Sequence, residues 1–258
     1  VRVWLSRRDR TNYIRYVWTR KSTPRYHHIW FIVPDSRTKS VLGFLEGLLA
    51  SRGGRLLCVS SRQFEATWFL RRKSFLLLPP VPPEFFIEPE DKPLRWPIRL
   101  TFLGVLHPDK GIEDVIRLFL GLKRDAHFKC TIHAFHNPAD ARQVELHKRL
   151  VRQEDLEYIP MKVAQWSVQV EEQVQQILRE TDIFVQPYQS LQNTVDTPVL
   201  VLEAMASLCA VLTTPIGSIP GVYGKSKFLI PHSGFVERAT ALLKGMSKED
   251  LLRERLRI

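Results

Sequence analysis

The sequence predicts an α/β protein made of two parallel-sheet parts in succession. Short apolar runs alternate with longer amphipathic segments, which is how strand–helix–strand units look in sequence, because parallel strands need a long crossover. One proline-dense stretch interrupts the alternation. Loops rich in Gly, Pro and polar residues fall where the later strands should end, and in open parallel sheets ligands bind beyond those ends.

The first part reads as strand 27–33 (HHIWFIV), then a helix over 36–51 with Val41, Leu42, Leu45, Leu48 and Leu49 at helical spacing. Strand 55–59 (RLLCV), a helix over 61–70 capped by Ser60 or Ser61, and strand 75–78 (FLLL) complete it. From Pro79 to Pro93 six of fifteen residues are proline, a density that no helix or central strand tolerates. Residues 80–97 are therefore expected to link a partial N-terminal domain, 1–79, to a C-terminal domain, 98–258. The second part continues as strand 98–104 ending in Gly104, helix 112–122, strand 128–135, helix 139–153, strand 156–160 and helix 170–181. Strand 182–188, helix 198–207, strand 210–214, a short strand 227–231 and helix 234–246 follow.

The chain has 258 residues, 44% of them hydrophobic and 25% charged, the balance of a folded soluble protein large enough to bury sizeable cores. Cys58, Cys130 and Cys209 are odd in number and set in apolar runs, so they read as reduced core residues in a cytoplasmic setting, not a disulfide framework. No apolar run reaches the roughly 18 residues of a spanning helix, and no signal-peptide pattern is present. The chain opens on Val1, so a fragment or processed form is expected.

The charge is lopsided. Residues 1–75 hold 16 Lys and Arg against 4 Asp and Glu, a net of +12, while the remainder holds 22 against 23. Arg7, Arg8, Arg10, Arg15, Arg20, Lys21 and Arg25 are interleaved with Trp4, Tyr13, Tyr16, Trp18 and Tyr26. Cations draw anionic surfaces, and aromatics favour the wet edge of a bilayer or the face of a base. A solvated terminus, an anionic membrane surface and nucleic acid all fit, with nucleic acid the least favoured.

Three loops should share the carboxyl edge of the second sheet: 104–111 (GVLHPDKG), 187–198 (PYQSLQNTVDTP) and 213–221 (TTPIGSIPG). Lys110 precedes a helix, where the macrodipole is positive and a cation is unfavourable unless an anion joins it. Free N–H groups at the same place favour phosphate. A phosphate-binding corner and a solvated lysine are both open readings. In PVLVLEAMAS, Pro198 suits the first helical position with Thr197 or Asp196 as cap. Val199, Leu200, Val201 and Leu202 cover every face, so this helix is mostly buried. Glu203 lies a turn and a half inside it and needs donors or a proton. A structural pair and a ligand carrying hydroxyls, such as a ribose, are equally good partners on physical grounds. Gly217 and Gly221 mark bends in the third loop. His133 and His136 lack metal-ligand spacing and read as strand and loop residues.

The segment FLGVLHPDKGIEDVIRLF (102–119) resembles the start of the sugar-nucleotide domain of retaining glycosyltransferases of family 4, the glycosyl transferases group 1, which have the GT-B fold. ETDIFVQPYQS and VLVLEAMASLCAVLTTPIGSIPGVYG resemble that family's signature segment in order and spacing. The likeness covers residues 97–235 well and 27–95 weakly, as the tail of the acceptor-side domain. It implies a GT-B architecture: a Rossmann-like C-terminal domain that binds a nucleotide sugar, preceded by a truncated Rossmann-like N-terminal domain.

By the same resemblance, Glu203 is the second glutamate of the E-x7-E motif and accepts hydrogen bonds from ribose hydroxyls. Lys110 lies on the donor diphosphate, with Gly104 and His107 in the same loop. Backbone groups of Thr197, Val199 and Leu200 contribute to the sugar and phosphate site. Gly217, Ile219 and Pro220 shape the nucleotide pocket. The substrate expected is a UDP- or GDP-type sugar, with no cofactor and no metal, because cations and a helix N-terminus stabilise the departing diphosphate.

Three departures stand out. The first glutamate of the motif falls on Val195, with Asp196 next to it as a substitute. The arginine that pairs with the lysine falls on Val105, with His107 the nearest stand-in. The N-terminal domain is short. The expected function is a retaining glycosyltransferase with a lipid-linked or glycan acceptor, in the cytoplasm or at its membrane surface, with Lys110, Asp196 and Glu203 as catalytic residues. A degenerate GT-B module that binds without turnover, and an anionic-surface or nucleic-acid binding module, are the alternatives.

Overall fold

The computed structural model describes residues 26–28, 55–58, 60–66, 74–161, 168–191, 194 and 196–257. The helix expected over 36–51, most of strand 27–33 and Val195 lie outside them. The chain divides into two units, residues 1–79 with 195–197, and residues 80–194 with 198–258.

In the first unit, β1 (Tyr26–His28), β2 (Arg55–Cys58) and β3 (Ser74–Leu76) form a parallel sheet in the order β1-β2-β3. Leu57 of the central strand lies opposite His28 on one side and Phe75 on the other. The crossover from β2 begins with α1 (Ser61–Ala66).

The second unit contains β4 (Ile98–Val105), α2 (Ile112–Leu122), β5 (Phe128–Phe135), α3 (Ala141–Val151) and β6 (Glu157–Met161). It continues with α4 (Val168–Glu180), β7 (Ile183–Gln186), α5 (Val199–Ala206) and β8 (Ala210–Thr213). Helices α6 (Ile219–Tyr223), α7 (Phe235–Gly245) and α8 (Lys248–Arg255) close it. All five strands are parallel, in the order β6-β5-β4-β7-β8. Counted within the unit, that is 3-2-1-4-5, a doubly wound sheet whose order reverses between β4 and β7. The central strands are apolar on both faces because helices cover both. Leu100, Phe102 and Leu103 of β4 and Ile183, Phe184 and Val185 of β7 are fully buried.

Two local expectations change. The segment 227–231 is not a strand of its own: it makes one parallel bridge, Thr213 to Leu229. Pro198 stands before α5 as its N-cap, with ψ at 120°, and makes no side-chain cap bond. The ring fixes φ near −65°, a value shared by helix and extended backbone, so ψ decides where the helix begins.

The proline-rich segment packs into the second unit. Phe85 is buried in the core with Leu100, Phe119 and Phe184. Ser207 Oγ donates to the Phe85 carbonyl at 3.0 Å, and the Ile87 N–H donates to the Ala206 carbonyl at 3.3 Å. Beyond it, Lys92 is buried and donates to the carbonyls of Leu178 (2.8 Å) and Ser207 (2.5 Å) and to Cys209 Sγ (3.2 Å). Arg255 of α8, also buried, donates through Nη2 to the Lys92 carbonyl at 2.6 Å and through Nε to the Leu208 carbonyl at 2.9 Å. Its Nη1 lies 3.4 Å from Asp182 Oδ1, and Asp182 Oδ2 accepts from the Arg99 N–H at 3.0 Å. Leu208 has φ of +52°, and Arg255 holds its carbonyl in place. Buried charges persist only when paired and hydrogen-bonded, and this cluster at the amino ends of β7 and β8 meets that condition. Burial still pushes Lys92 below and Asp182 above their usual ranges.

Candidate active site

The carboxyl ends of β4 and β7 flank the point where the strand order reverses. From β4 the chain leaves through Gly104 and Val105 and enters a helical turn, Pro108–Lys110, before α2. His107 caps this turn, its Nδ1 accepting from the Asp109 N–H at 3.2 Å. Gly111 then adopts φ of +73°, and a Cβ there would fall on the Pro187 carbonyl, so only glycine fits.

The exit from β7, Gln186 to Gln189, holds this turn from below. Gln186 Nε2 donates to the Lys110 carbonyl at 3.3 Å, and the Gln189 N–H donates to the Asp109 carbonyl at 2.8 Å. Gln189 Nε2 donates to Asp114 Oδ2 at 2.6 Å, fixing a buried carboxylate that also pairs with Arg117. Tyr188 is buried, and its ring lies under Lys110, with Nζ 5.1 Å from the centroid, a cation–π arrangement. Burial lowers Lys110 to about 8, against the pull of Asp109.

The β8 exit is tied to the same floor. Thr213 Oγ1 donates to the Gln186 carbonyl at 2.7 Å and Thr214 Oγ1 to the Tyr188 carbonyl at 2.6 Å. The next loop turns at Gly217, φ +57°, and enters α6 through buried Ser218 and Ile219, with Pro220 in its first turn. The sequence suggests only a loop here; five residues containing Gly and Pro give no helical period to read.

Glu203 is 5% exposed on the second turn of α5. Tyr188, whose ring lies under Lys110, is also within electrostatic reach of Glu203. Burial raises the Tyr188 hydroxyl, a bond with the Thr194 side chain lowers it, and the Glu203 charge raises it. One buried aromatic thus links the cation and the carboxylate that the sequence singles out.

The structure brings Gly104, His107, Lys110, Val199, Leu200, Glu203, Gly217, Ile219 and Pro220 together in the second unit, on the carboxyl-end loops and the helices they open. Asp196 and Thr197 are buried and group with the first unit. Val105, where the resemblance expects arginine, is exposed. The sequence reading missed Gln186, Tyr188 and Gln189. A glutamine ending the apolar run IFVQ is the one signal that pointed to them.

The fold is that of the GT-B glycosyltransferases. The fold matches that of HepE from Anabaena, solved with UDP and glucose, at TM-score 0.67 and 11% identity over 97% of this chain and 69% of HepE. It also matches WaaG, a glycosyltransferase involved in lipopolysaccharide biosynthesis, at TM-score 0.59 and 13% identity over 95% of this chain and 74% of WaaG. The lipopolysaccharide outer core galactosyltransferase WaaB matches at TM-score 0.58 and 14% identity, over 96% of this chain and 75% of WaaB. At such identities the likeness is one of fold. The chain belongs to the glycosyl transferases group 1, whose family model matches residues 97–245. No curated protein sequence matches it.

Proposed function

We propose that this protein transfers a sugar, with retention of configuration, from a nucleoside diphosphate sugar to a glycan or lipid-linked acceptor. The observation that carries the reading is the Lys110–Tyr188–Glu203 arrangement at the switch point of the second unit's sheet. Lys110 meets the diphosphate, and the anion stabilises its charge. Glu203 accepts from the ribose hydroxyls. The N-terminus of α5, at Val199 and Leu200, adds N–H groups and a positive dipole end for the charge that develops on the departing diphosphate. The loop at Gly217, Ile219 and Pro220 shapes the base pocket, with Gly104 and His107 on the opposite loop. On this reading the diphosphate leaves without a metal as Lewis acid.

The HepE structure holds UDP and glucose, which supports a uridine nucleotide as the first candidate. The basic, aromatic-rich residues 1–25 suit contact with an anionic cytoplasmic membrane surface, where lipid-linked acceptors reside. Among the described residues no helix is long and apolar enough to cross a membrane.

Titration calorimetry with UDP, GDP and ADP sugars tests the donor reading. A folded protein that binds none of them at millimolar concentration refutes it. Anomeric analysis of the product by NMR tests retention. Val105 favours a second reading, binding without turnover, because one cation of the phosphate site is replaced by a valine. Tight donor binding with no transfer to any acceptor in a full-length protein supports that version.

A further inference from the structure

The Gln186 side chain is 1% exposed, and its two amide atoms have different fates. Nε2 is committed to the Lys110 carbonyl. Among the described residues Oε1 is buried with no hydrogen-bond partner. The commitment of Nε2 fixes which way the amide faces, so the oxygen cannot rotate onto the Lys110 carbonyl side. It lies against Gly104, close enough that a side-chain carbon there would sit 3.6 Å from Oε1. Gly104 is itself half-buried at the carboxyl end of β4. The amide thus lies beside Gly104, at the carboxyl ends of β4 and β7, near the point where the strand order reverses and where ligands of doubly wound sheets bind.

Buried side-chain acceptors are almost always paired, and one left alone bears the desolvation cost of its oxygen. An apolar residue of the same length would avoid that cost and would continue the apolar run Ile183–Val185. The Lys110 contact accounts for the amide nitrogen and leaves the oxygen without a partner among the described residues. Diphosphate oxygens are acceptors and cannot satisfy another acceptor. Hydroxyls can, and a nucleotide sugar carries them on both sides of its diphosphate.

We propose that Gln186 is a specificity residue of the donor site, its Oε1 accepting a hydrogen bond from a hydroxyl of the bound nucleotide sugar while its Nε2 holds the Lys110 turn. This rests on the nucleotide-sugar reading above. The residue couples two parts of recognition. The same amide that reads a hydroxyl sets the height of the turn that carries the phosphate lysine.

The test is affinity measured for wild type and Gln186→Met with the tightest-binding nucleotide sugar of the panel, with its nucleoside diphosphate alone, and with analogues lacking single ribose or sugar hydroxyls. Gln186→Met weakens the parent nucleotide sugar about tenfold, equivalent to about 1.4 kcal/mol. The penalty is smaller for the one analogue that lacks the contacted hydroxyl, for which only the loss of the hold on the Lys110 turn remains. If it is a ribose-deoxy analogue whose penalty is reduced, the hydroxyl is on the ribose; if it is a sugar-deoxy analogue, the hydroxyl is on the sugar. A change of less than twofold for every ligand overturns the inference, and so does an equal penalty across all analogues, which would leave only the structural hold on Lys110. Should Gln186→Met lose its cooperative melt, Gln186→Asn, which withdraws the oxygen by one methylene, is held to the same pattern. A wild type that binds no nucleotide sugar overturns the donor reading and this one with it. A wild type that binds, beside variants that bind equally well, overturns this one alone.

Discussion

The Pro187 carbonyl occupies the space in which a side chain on Gly111 would stand, and Gly111 holds a left-handed φ of +73° to pass beneath it. The contact joins two loops 76 positions apart in the chain, from Gly111 to Pro187, and fixes the height of Lys110 above the sheet.

Gly111→Ala therefore fails twice, once on backbone and once on space. The left-handed conformation alone costs roughly 1–2 kcal/mol for a residue with a Cβ, and the collision adds to it. We expect a lower denaturation midpoint and loss of nucleotide-sugar binding. A variant that binds like wild type would show that the turn does not position Lys110.

Lys110 gives the site a pH profile. Its folded-state value is lowered by burial from 10.5 to about 8, so in the free protein it is charged below pH 8 and neutral above. Carrying that buried charge costs stability below pH 8, and the cost is relieved as pH rises from 8 towards 10.5. An anion pulls the value back up. Diphosphate affinity therefore falls as pH rises through 8, and binding there takes up a proton. Calorimetry in buffers of different ionisation heat reads the uptake directly. Lys110→Met should bind the donor tenfold to a hundredfold less tightly, the loss of a hydrogen bond to a charged group worth roughly 1.5–3 kcal/mol. It should also lack the pH step.

Glu203 is buried and sits within electrostatic reach of Tyr188. Glu203→Ala should abolish donor binding, and Glu203→Gln should retain a fraction of it because the amide oxygen still accepts. Unchanged affinity in both variants removes the ribose role and leaves a structural one.

Arg255 is 2% exposed and serves Asp182, Leu208 and Lys92 at once. Removing one partner of a buried ion pair costs about 3–5 kcal/mol. Arg255→Ala should lower the free energy of unfolding by an amount in that range, read by urea titration. A small shift would mean that water or another side chain replaces the guanidinium.

Much of the second unit is legible in its sequence. Helix 112–122 and strand 128–135 coincide with their predicted bounds because their apolar spacing is long and unbroken. Lys110 and Glu203 stand out because each is a charge in a place that charges avoid. Two things were hidden for one reason. The support from Gln186 to Gln189 under the Lys110 turn, and the Lys92–Asp182–Arg255 cluster, both depend on partners 73 or more residues apart. Local periodicity carries no information about such pairs. The stretch SIPGVY hides its short helix behind a proline and a glycine, residues that ordinarily mark its absence.

The bond from Arg255 to the Lys92 carbonyl spans 163 residues of sequence and 2.6 Å of space. It brings the two margins of the second unit side by side at the end of the sheet remote from the ligand loops. The segment before β4 and helix α8 are thereby buckled together, so α8 cannot fray without leaving the Lys92 carbonyl unpaired.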